Sequence, residues 1–295
     1  MSSLSCNTVA PMTPSAAGPS MPTHELPQTL ERPSRCFDSG DISPATLEAV
    51  GPDLAESKPT VHFIQEQLYL HTDKLLAGLR YIPVPPTHPS YSLPVTFSVT
   101  VPFLSDDIEY PTHILAVLLP SENEAPEAPI PLVPIHGIVL AVNCSAEILR
   151  PLIEGDDEDS EDSDSTTYKL YLPVCSIRLP SVEALITLRN FMYTKEVDAL
   201  FADLFPLPQP FDHETLQRAQ QSESLDCKLA LVQKLIWAEP GVKHLLRYGS
   251  LVLDLWRTAC CLGMHDDGFW DALDLAWELV LIALNFVLNA PESGV

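Results

Sequence analysis

The sequence predicts an α+β protein with a mixed core over residues 93–205, a helical extension over residues 206–295 and a disordered N-terminal tail. Three observations support this class. Short apolar runs of strand length follow one another between Leu93 and Leu172. Apolar residues at helical spacing dominate the chain after Leu225. The start of the chain is rich in Pro, Ser, Thr and Glu and shows no sustained apolar period.

The N-terminal part divides into a tail and a linker. Residues 1–60 contain too few apolar side chains to offset the entropy of ordering the chain, so we expect disorder there. Residues 61–92 begin with apolar residues at roughly helical spacing from His62 to Leu79. Closely spaced prolines follow from Pro83 onward and forbid a helix. We therefore expect one helix and then an extended, Pro-rich linker.

The core over residues 93–205 is expected to combine four strands with two helices. Apolar and polar side chains alternate in the first strand, which predicts that it is half-buried. Ser181 is a suitable N-cap for the second helix. The strands are expected at Val95–Val101, His113–Leu119, Leu132–Ile135 and Tyr168–Leu172, and the helices at Val139–Leu152 and Val182–Tyr193.

A strongly acidic insert over residues 155–165 interrupts the core. Like charges at this density repel one another and stay solvated, so the insert is expected to be a surface loop. Ser160 and Ser163 within it are candidate phosphorylation sites, and the insert is also a candidate docking site for a basic partner. A plain solvated insert is the alternative that we favour.

The extension over residues 206–295 is expected to contain three long helices. The first ends near Glu239, where Pro240 restarts the chain. The second spans about Val242–Leu262 and ends at Gly263 as a left-handed cap. The third begins after Asp266 or Asp267 and runs to about Asn289.

The last helix and the tryptophans are both expected to be largely covered by other parts of the protein. The polar residues of that helix form one narrow stripe, so it is expected to be buried on most sides. Its acidic residues and the absence of flanking basic anchors argue against a membrane span. Core packing is the expected role of the tryptophans, with Trp256, Trp270 and Trp277 as candidates for a partner surface.

The charge of the chain restricts its partners. There are 40 acidic and 16 basic side chains, which give a formal net charge of −24. Such a field repels phosphate backbones and anionic membranes, so neither direct nucleic-acid binding nor membrane docking is expected. Protein partners are expected instead, and any action at DNA would pass through a DNA-binding partner.

Cysteine usage indicates a reducing compartment. The seven cysteines are irregularly spaced and include no C-x-x-C pair, which does not resemble a disulfide framework. No basic patch followed by an apolar run is visible at the N-terminus, so secretion is not expected. We expect the protein in the nucleus, the cytoplasm or both, with reduced thiols.

The sequence contains no recognisable catalytic or metal-binding motif, so neither an enzyme nor a cofactor is expected. His136 and Cys144 would lie about 12 Å apart along a helix, too far for proton transfer, and Cys144 is expected to be a buried structural residue. Zinc needs four convergent ligands. Only Cys261 and His265 make a plausible pair among the candidates, which are His244, Cys260, Cys261 and His265.

Two short strings in the core form recognisable motifs. The first runs from His136 to Cys144 and has a His three residues before Val-Leu-Ala. The second, within Leu188–Asp198, has an aromatic-x-Tyr-Thr before an acidic turn. Together they resemble the BTB/POZ family, which implies a BTB/POZ-like core that assembles other proteins and leaves a homodimer open. Lys195 stands where Gly is common, and Cys144 where Ser is usual. The matching residues, for which a structural role is implied, are His136, Leu140, Ala141, Cys144, Phe191, Tyr193 and Thr194.

A longer set of motifs begins at Leu93, Tyr110, His136, Phe191, Leu255 and Gly268. Together these motifs resemble the clampless family of mushroom-forming and related fungi, and the resemblance spans about Val61 to Leu288. Members of that family are regulators of sexual development, needed for clamp-cell formation downstream of mating-type transcription factors. The resemblance thus implies a non-catalytic regulator that binds transcription factors or other regulators.

Two other function classes remain open. The first is a substrate adaptor of a cullin ubiquitin ligase, because many BTB proteins have that role. The second is a hydrolase or transferase with an unrecognised site, which we disfavour because no acid–base constellation converges in the sequence.

Overall fold

Five strands form one mixed sheet. The computed structural model describes residues 42–57, 59–102, 108–120, 128–145, 147–152, 167–221, 225–238 and 241–289. Within them the strands are β1 (Thr87–His88), β2 (Thr96–Pro102), β3 (His113–Leu118), β4 (Ile130–Ile135) and β5 (Thr167–Arg178). The sheet order is β1-β4-β3-β5-β2, with β3 and β5 parallel and the other neighbours antiparallel.

The long strand β5 joins the two parts of the sheet. Its first half pairs with β2 and its second half with β3. Successive side chains point to opposite faces, so Leu115 and Cys175 lie in the core shared with the helices. Ile114 and Val174 belong to a second core on the other face. The sheet is therefore apolar on both faces at its centre, as the continuous apolar run of β3 requires.

Eleven α-helices are present among the described residues, and α6 is central to them. α6 packs against α4, α5, α7 and α10, while α11 packs along α9 and α10. The α+β class is confirmed. The helices are α1 (Pro44–Val50), α2 (Pro52–Ser57), α3 (Val61–Leu70), α4 (Thr72–Tyr81), α5 (Gly137–Asn143), α6 (Val182–Thr194), α7 (Val197–Leu204), α8 (His213–Gln221), α9 (Leu225–Ala238), α10 (Val242–Leu262) and α11 (Asp267–Asn289).

The disorder predicted for residues 1–60 is wrong over α1 and α2. The backbone N–H of Thr46 donates to Ser43 Oγ at 3.2 Å, which caps α1, and Pro44 occupies the first turn. Leu47 of α1 packs in a small core with Val142 of α5. A prediction from the high proline content misses these helices, because proline is tolerated at the first position of a helix and each of the two begins with one. Residues 1–41 of the predicted tail lie outside the described residues.

The segment predicted as one helix and a linker is more structured than expected. The helix is divided at His71 into α3 and α4, and the linker contributes the short edge strand β1. α4 approaches the backbone near Glu109 so closely that a Cβ on Gly78 would collide with the Glu109 carbonyl. Glycine at this position therefore permits the contact between α4 and the chain before β3.

The core and the extension differ from the predictions at one predicted helix and at two helices that the sequence patterns do not indicate. The helix predicted over Val139–Leu152 is wrong after Asn143, because Cys144 is extended and forms an antiparallel bridge with Met264. The helices α7 and α8 were not predicted. By contrast, Gly263 ends α10 with φ 65°, as predicted, and Asp266 Oδ1 accepts the N–H of Phe269 at the start of α11.

The last helix, α11, is packed into the protein core on most of its faces, as predicted. Its buried residues include Phe269, Leu273 and Val280. Across the described residues, none of the helices combines the length and the apolar character that a membrane crossing requires. The narrow polar stripe of α11 therefore reflects burial against α9 and α10.

Candidate functional site

His136 and Tyr193, from the two predicted motifs, form a buried hydrogen-bonded pair. The Nε2–H of His136 donates to the carbonyl of Glu109 at 2.9 Å, which leaves Nδ1 as an acceptor. The Tyr193 hydroxyl donates to that Nδ1 at 2.7 Å. The same hydroxyl oxygen accepts the backbone N–H of His136 at 3.0 Å. All the polar groups of the pair are satisfied only with the imidazole neutral.

Burial keeps both members of this pair uncharged. Desolvation lowers the pKa of His136 from 6.5 to about 4, although the hydrogen bond to the Glu109 carbonyl opposes the shift. Burial also raises the pKa of Tyr193 far above its usual range. Neither side chain is therefore suited to exchange protons near neutral pH.

A second histidine, His113, takes part in a chain of hydrogen bonds beside the first. Thr112 Oγ1 accepts the backbone N–H of Gly137 at 2.8 Å and donates to His113 Nδ1, also at 2.8 Å. The Nε2–H of His113 donates to the carbonyl of Arg150 at 2.9 Å. A Cβ on Gly137 would lie 2.7 Å from the His113 ring, so this position requires glycine. These hydrogen bonds fix the start of α5 against β3.

Cys144 is a buried structural thiol, as predicted. Its Sγ lies 3.7 Å from Met192 Sδ and 4.0 Å from Met264 Sδ. Burial raises the pKa of the thiol to about 12, although the charge of Lys195 opposes the shift. Because the thiolate is the reactive form, Cys144 is a poor nucleophile at neutral pH.

The segment after α5 binds the turn between α10 and α11. The backbone N–H of Ser145 donates to the Gly263 carbonyl at 3.0 Å, and that of His265 donates to the Asn143 carbonyl at 3.1 Å. A side chain on Gly263 would collide with Ser145, in addition to the strain of its positive φ. These contacts join the sheet-containing part of the chain to the C-terminal helices.

Lys195 connects the same two parts through its side chain. It ends α6 in the left-handed conformation, with φ 56°, a backbone region that favours glycine. Its ammonium group donates to Asp266 Oδ2 at 2.6 Å and to Asn143 Oδ1. It also lies 5.5 Å from the centre of the Phe191 ring. Sequence reasoning missed this ion pair, and the only signal was a lysine in place of glycine.

A cleft of about 700 Å³ lies beside Lys195. One wall is the exposed side of α3, and the other consists of residues from the end of α6, the start of α7 and the start of α11. Its lining residues are His62, Gln65, Glu66, Gln67, Tyr69, Leu70, Phe191, Lys195, Val197, Asp266 and Gly268.

The predicted family-motif residues are brought together, but mostly inside the protein. Thr194 lies at the end of α6, where its hydroxyl accepts the N–H of Glu196 at 3.2 Å. The other motif residues are buried: His136, Leu140, Ala141, Cys144, Phe191 and Tyr193. The candidate phosphorylation sites Ser160 and Ser163 lie outside the described residues.

Trp256, Trp270 and Trp277 pack in the core, the role expected for them, and so they do not form the partner surface for which they were candidates. Trp256 and Trp270 are fully buried and stack edge to face at 5.3 Å between ring centres. Trp277 is only 7% exposed. The rings of Trp256 and Trp270 pack between α10 and α11, because large apolar side chains fill the space between long helices. The exposed tryptophan is Trp237, on α9.

The residues considered as zinc ligands are not gathered into a site. Within the part of the chain that the structure describes, no three His, Cys, Asp or Glu side chains are grouped so that they could hold a metal ion. His265 is instead hydrogen-bonded through Nε2 to the carbonyl of Val142 at 2.9 Å.

Comparisons with known proteins support one family. A model of the clampless protein 1 N-terminal domain matches residues 37–180, and a model of the clampless protein 1 C-terminal domain matches residues 198–294. No curated protein and no solved structure matches the chain. The BTB/POZ-like character of the core therefore stays a prediction. The two matches follow each other in order and cover most of the sequence, and the chain belongs to the clampless protein family.

Proposed function

We propose that this protein is a non-catalytic regulator of fungal sexual development that acts by binding transcription factors or other regulators. The observation that carries the proposal is the pair of family matches over residues 37–180 and 198–294. The clampless resemblance implies a role in clamp-cell formation. Regulators of this kind act in the nucleus, the cytoplasm or both.

The chemistry of the motif residues supports a non-catalytic role. Both ring nitrogens of His136 are engaged in hydrogen bonds, and its pKa is lowered to about 4. The thiol of Cys144 is enclosed by methionine sulfurs and its pKa is raised to about 12. A nucleophile and its base need the opposite: a thiol that ionises readily and an imidazole free to accept its proton.

The charge of the chain supports protein partners over nucleic acid. A net charge of −24 opposes the counterion release that drives even non-specific binding to DNA. A regulator with this charge would influence transcription through a partner that itself binds DNA.

Affinity purification of the full chain from mating cells tests this proposal, with the same purification from vegetative cells as the control. We expect transcription factors or other developmental regulators to be enriched in the mating cells. Enrichment of a cullin instead would support the ubiquitin-ligase adaptor. Recovery of neither class would overturn the proposal.

A further inference from the structure

The cleft beside Lys195 combines contributions from both matched family domains. α3 lies within the N-terminal match. In the opposite wall, Asp266 and Gly268 lie within the C-terminal match, and Val197 immediately precedes it. Clefts of several hundred Å³ between structural units are the usual location of binding sites. The wall opposite α3 is held in place by the hydrogen bonds of Lys195 to Asp266 and Asn143.

The cleft offers an apolar surface that is already exposed. Tyr69 and Leu70, in the last turn of α3, are each 72% exposed and lie on its wall. Val197 is partly exposed and adds apolar surface at the opposite side, where Phe191 is buried. Adjacent aromatic and aliphatic side chains at this exposure are typical of a surface that a partner covers.

The charges of the cleft define the sign of its partner. Its one lysine, Lys195, is already bound by Asp266 and Asn143. The carboxylate of Glu66 stands on the α3 wall, 60% exposed, and its ion-pair partner His62 is charged only when protonated. The remaining charge of the cleft is therefore negative, as is that of the whole chain. A complementary partner is basic.

We infer that this cleft is the docking site for a segment of a partner protein that carries an aromatic or aliphatic anchor beside an arginine or lysine. The anchor packs against Tyr69 and Leu70, and the cation pairs with Glu66. This inference rests on the proposed function, since it identifies where the regulator holds its partner. The same negative field disfavours nucleic acid and anionic lipid as occupants.

Fluorescence anisotropy of the full chain with three short labelled peptides tests the inference. One peptide carries leucine, phenylalanine and arginine, the second has glutamate in place of arginine, and the third has serine in place of the apolar residues. We expect binding of the first peptide alone, weakened by added salt. The variants Glu66→Lys and Tyr69→Ser/Leu70→Ser should each weaken that binding about tenfold, the loss typical of a residue central to an interface.

Matched control variants separate the cleft from general surface effects. Trp237→Ser removes an 80% exposed apolar side chain on α9, outside the cleft. Glu214→Lys reverses a carboxylate on α8 that has an i,i+4 partner, Arg218, as Glu66 has His62. Both controls should bind the first peptide as the wild type does. All the substituted side chains are exposed, so the unfolding midpoints should also match the wild type.

Several outcomes would overturn the inference: equal binding of the glutamate peptide, no binding of the first peptide, or equal effects of control and cleft variants. Purification from mating cells with Glu66→Lys as bait separates the two proposals. If the wild type and this variant recover the same regulators, the docking site is wrong and the proposed function stands. If the wild type recovers none, the proposed function itself fails.

Discussion

Acidification should destabilise this protein through His136, and the structure gives the size of the effect. The folded protein holds the imidazole neutral, with its pKa lowered by burial to about 4, whereas an unfolded histidine titrates near 6.5. As pH falls below 6.5, the unfolded chain binds a proton that the folded chain does not. The free energy of unfolding therefore decreases until the pH reaches the folded pKa of about 4.

The magnitude follows from the two pKa values. A difference of about 2.5 pKa units corresponds to about 3 kcal/mol when the whole interval is crossed. Between pH 7 and about pH 4.5 most of this interval is crossed, so His136 should account for a loss of about 2 kcal/mol. His113, whose pKa burial also lowers, contributes in the same direction.

Urea unfolding at a series of pH values measures the effect, because the buried Trp256 and Trp270 report the loss of tertiary structure. The matched control is His136→Gln, whose amide can still donate towards the Glu109 carbonyl but does not titrate. His113 and all carboxylates are common to both proteins, so the difference between their pH profiles isolates His136. Parallel profiles from pH 7 to about pH 4.5 would refute a neutral, buried His136.

Three substitutions and one control, Gly249→Ala, test the packing of the buried residues. Tyr193→Phe removes the hydroxyl that donates to His136 Nδ1 and accepts the His136 N–H. Urea titration should show a free energy of unfolding lower by about 2 kcal/mol. An unchanged free energy of unfolding would show that water replaces the hydroxyl. Gly137→Ala places a Cβ 2.7 Å from the His113 ring, so the free energy of unfolding should fall by about 1–3 kcal/mol and the thermal midpoint should fall with it. In the control Gly249→Ala, the new Cβ lies 3.5 Å from Val280, an ordinary contact, so the thermal midpoint should rise. Trp277→Ala leaves a cavity in the helical core and should cost about 3–5 kcal/mol in urea titration; an unchanged midpoint with lost partner binding would instead place an interface on α11.

The elements that the sequence predicts correctly are those set by local signals. Gly263 ends α10 and Asp266 caps α11, because a left-handed cap and a side-chain cap depend only on nearby backbone groups. The strands β2 and β3 follow from alternation and from a continuous apolar run. Ser181 accepts the N–H of Ala184 and begins α6 where predicted.

The elements that the sequence does not predict depend on contacts between distant residues. α5 ends at Asn143 because the next residue pairs with Met264, which lies far along the chain. The ion pair of Lys195 with Asp266 and the walls of the cleft arise only when α3, α6 and α11 meet. No local propensity encodes these meetings, so periodicity and capping signals cannot find them.

The most direct test of the central claim is whether the motif residues act as structure rather than as chemistry. Cys144→Ala, expressed in a fungal strain from which the gene has been deleted, removes the thiol while leaving a small cavity beside Met192 and Met264. We expect clamp cells to be restored, with a fall in the thermal midpoint of the purified variant that reflects about 1–2 kcal/mol. Loss of clamp cells by a variant whose thermal midpoint equals that of the wild type would contradict the account.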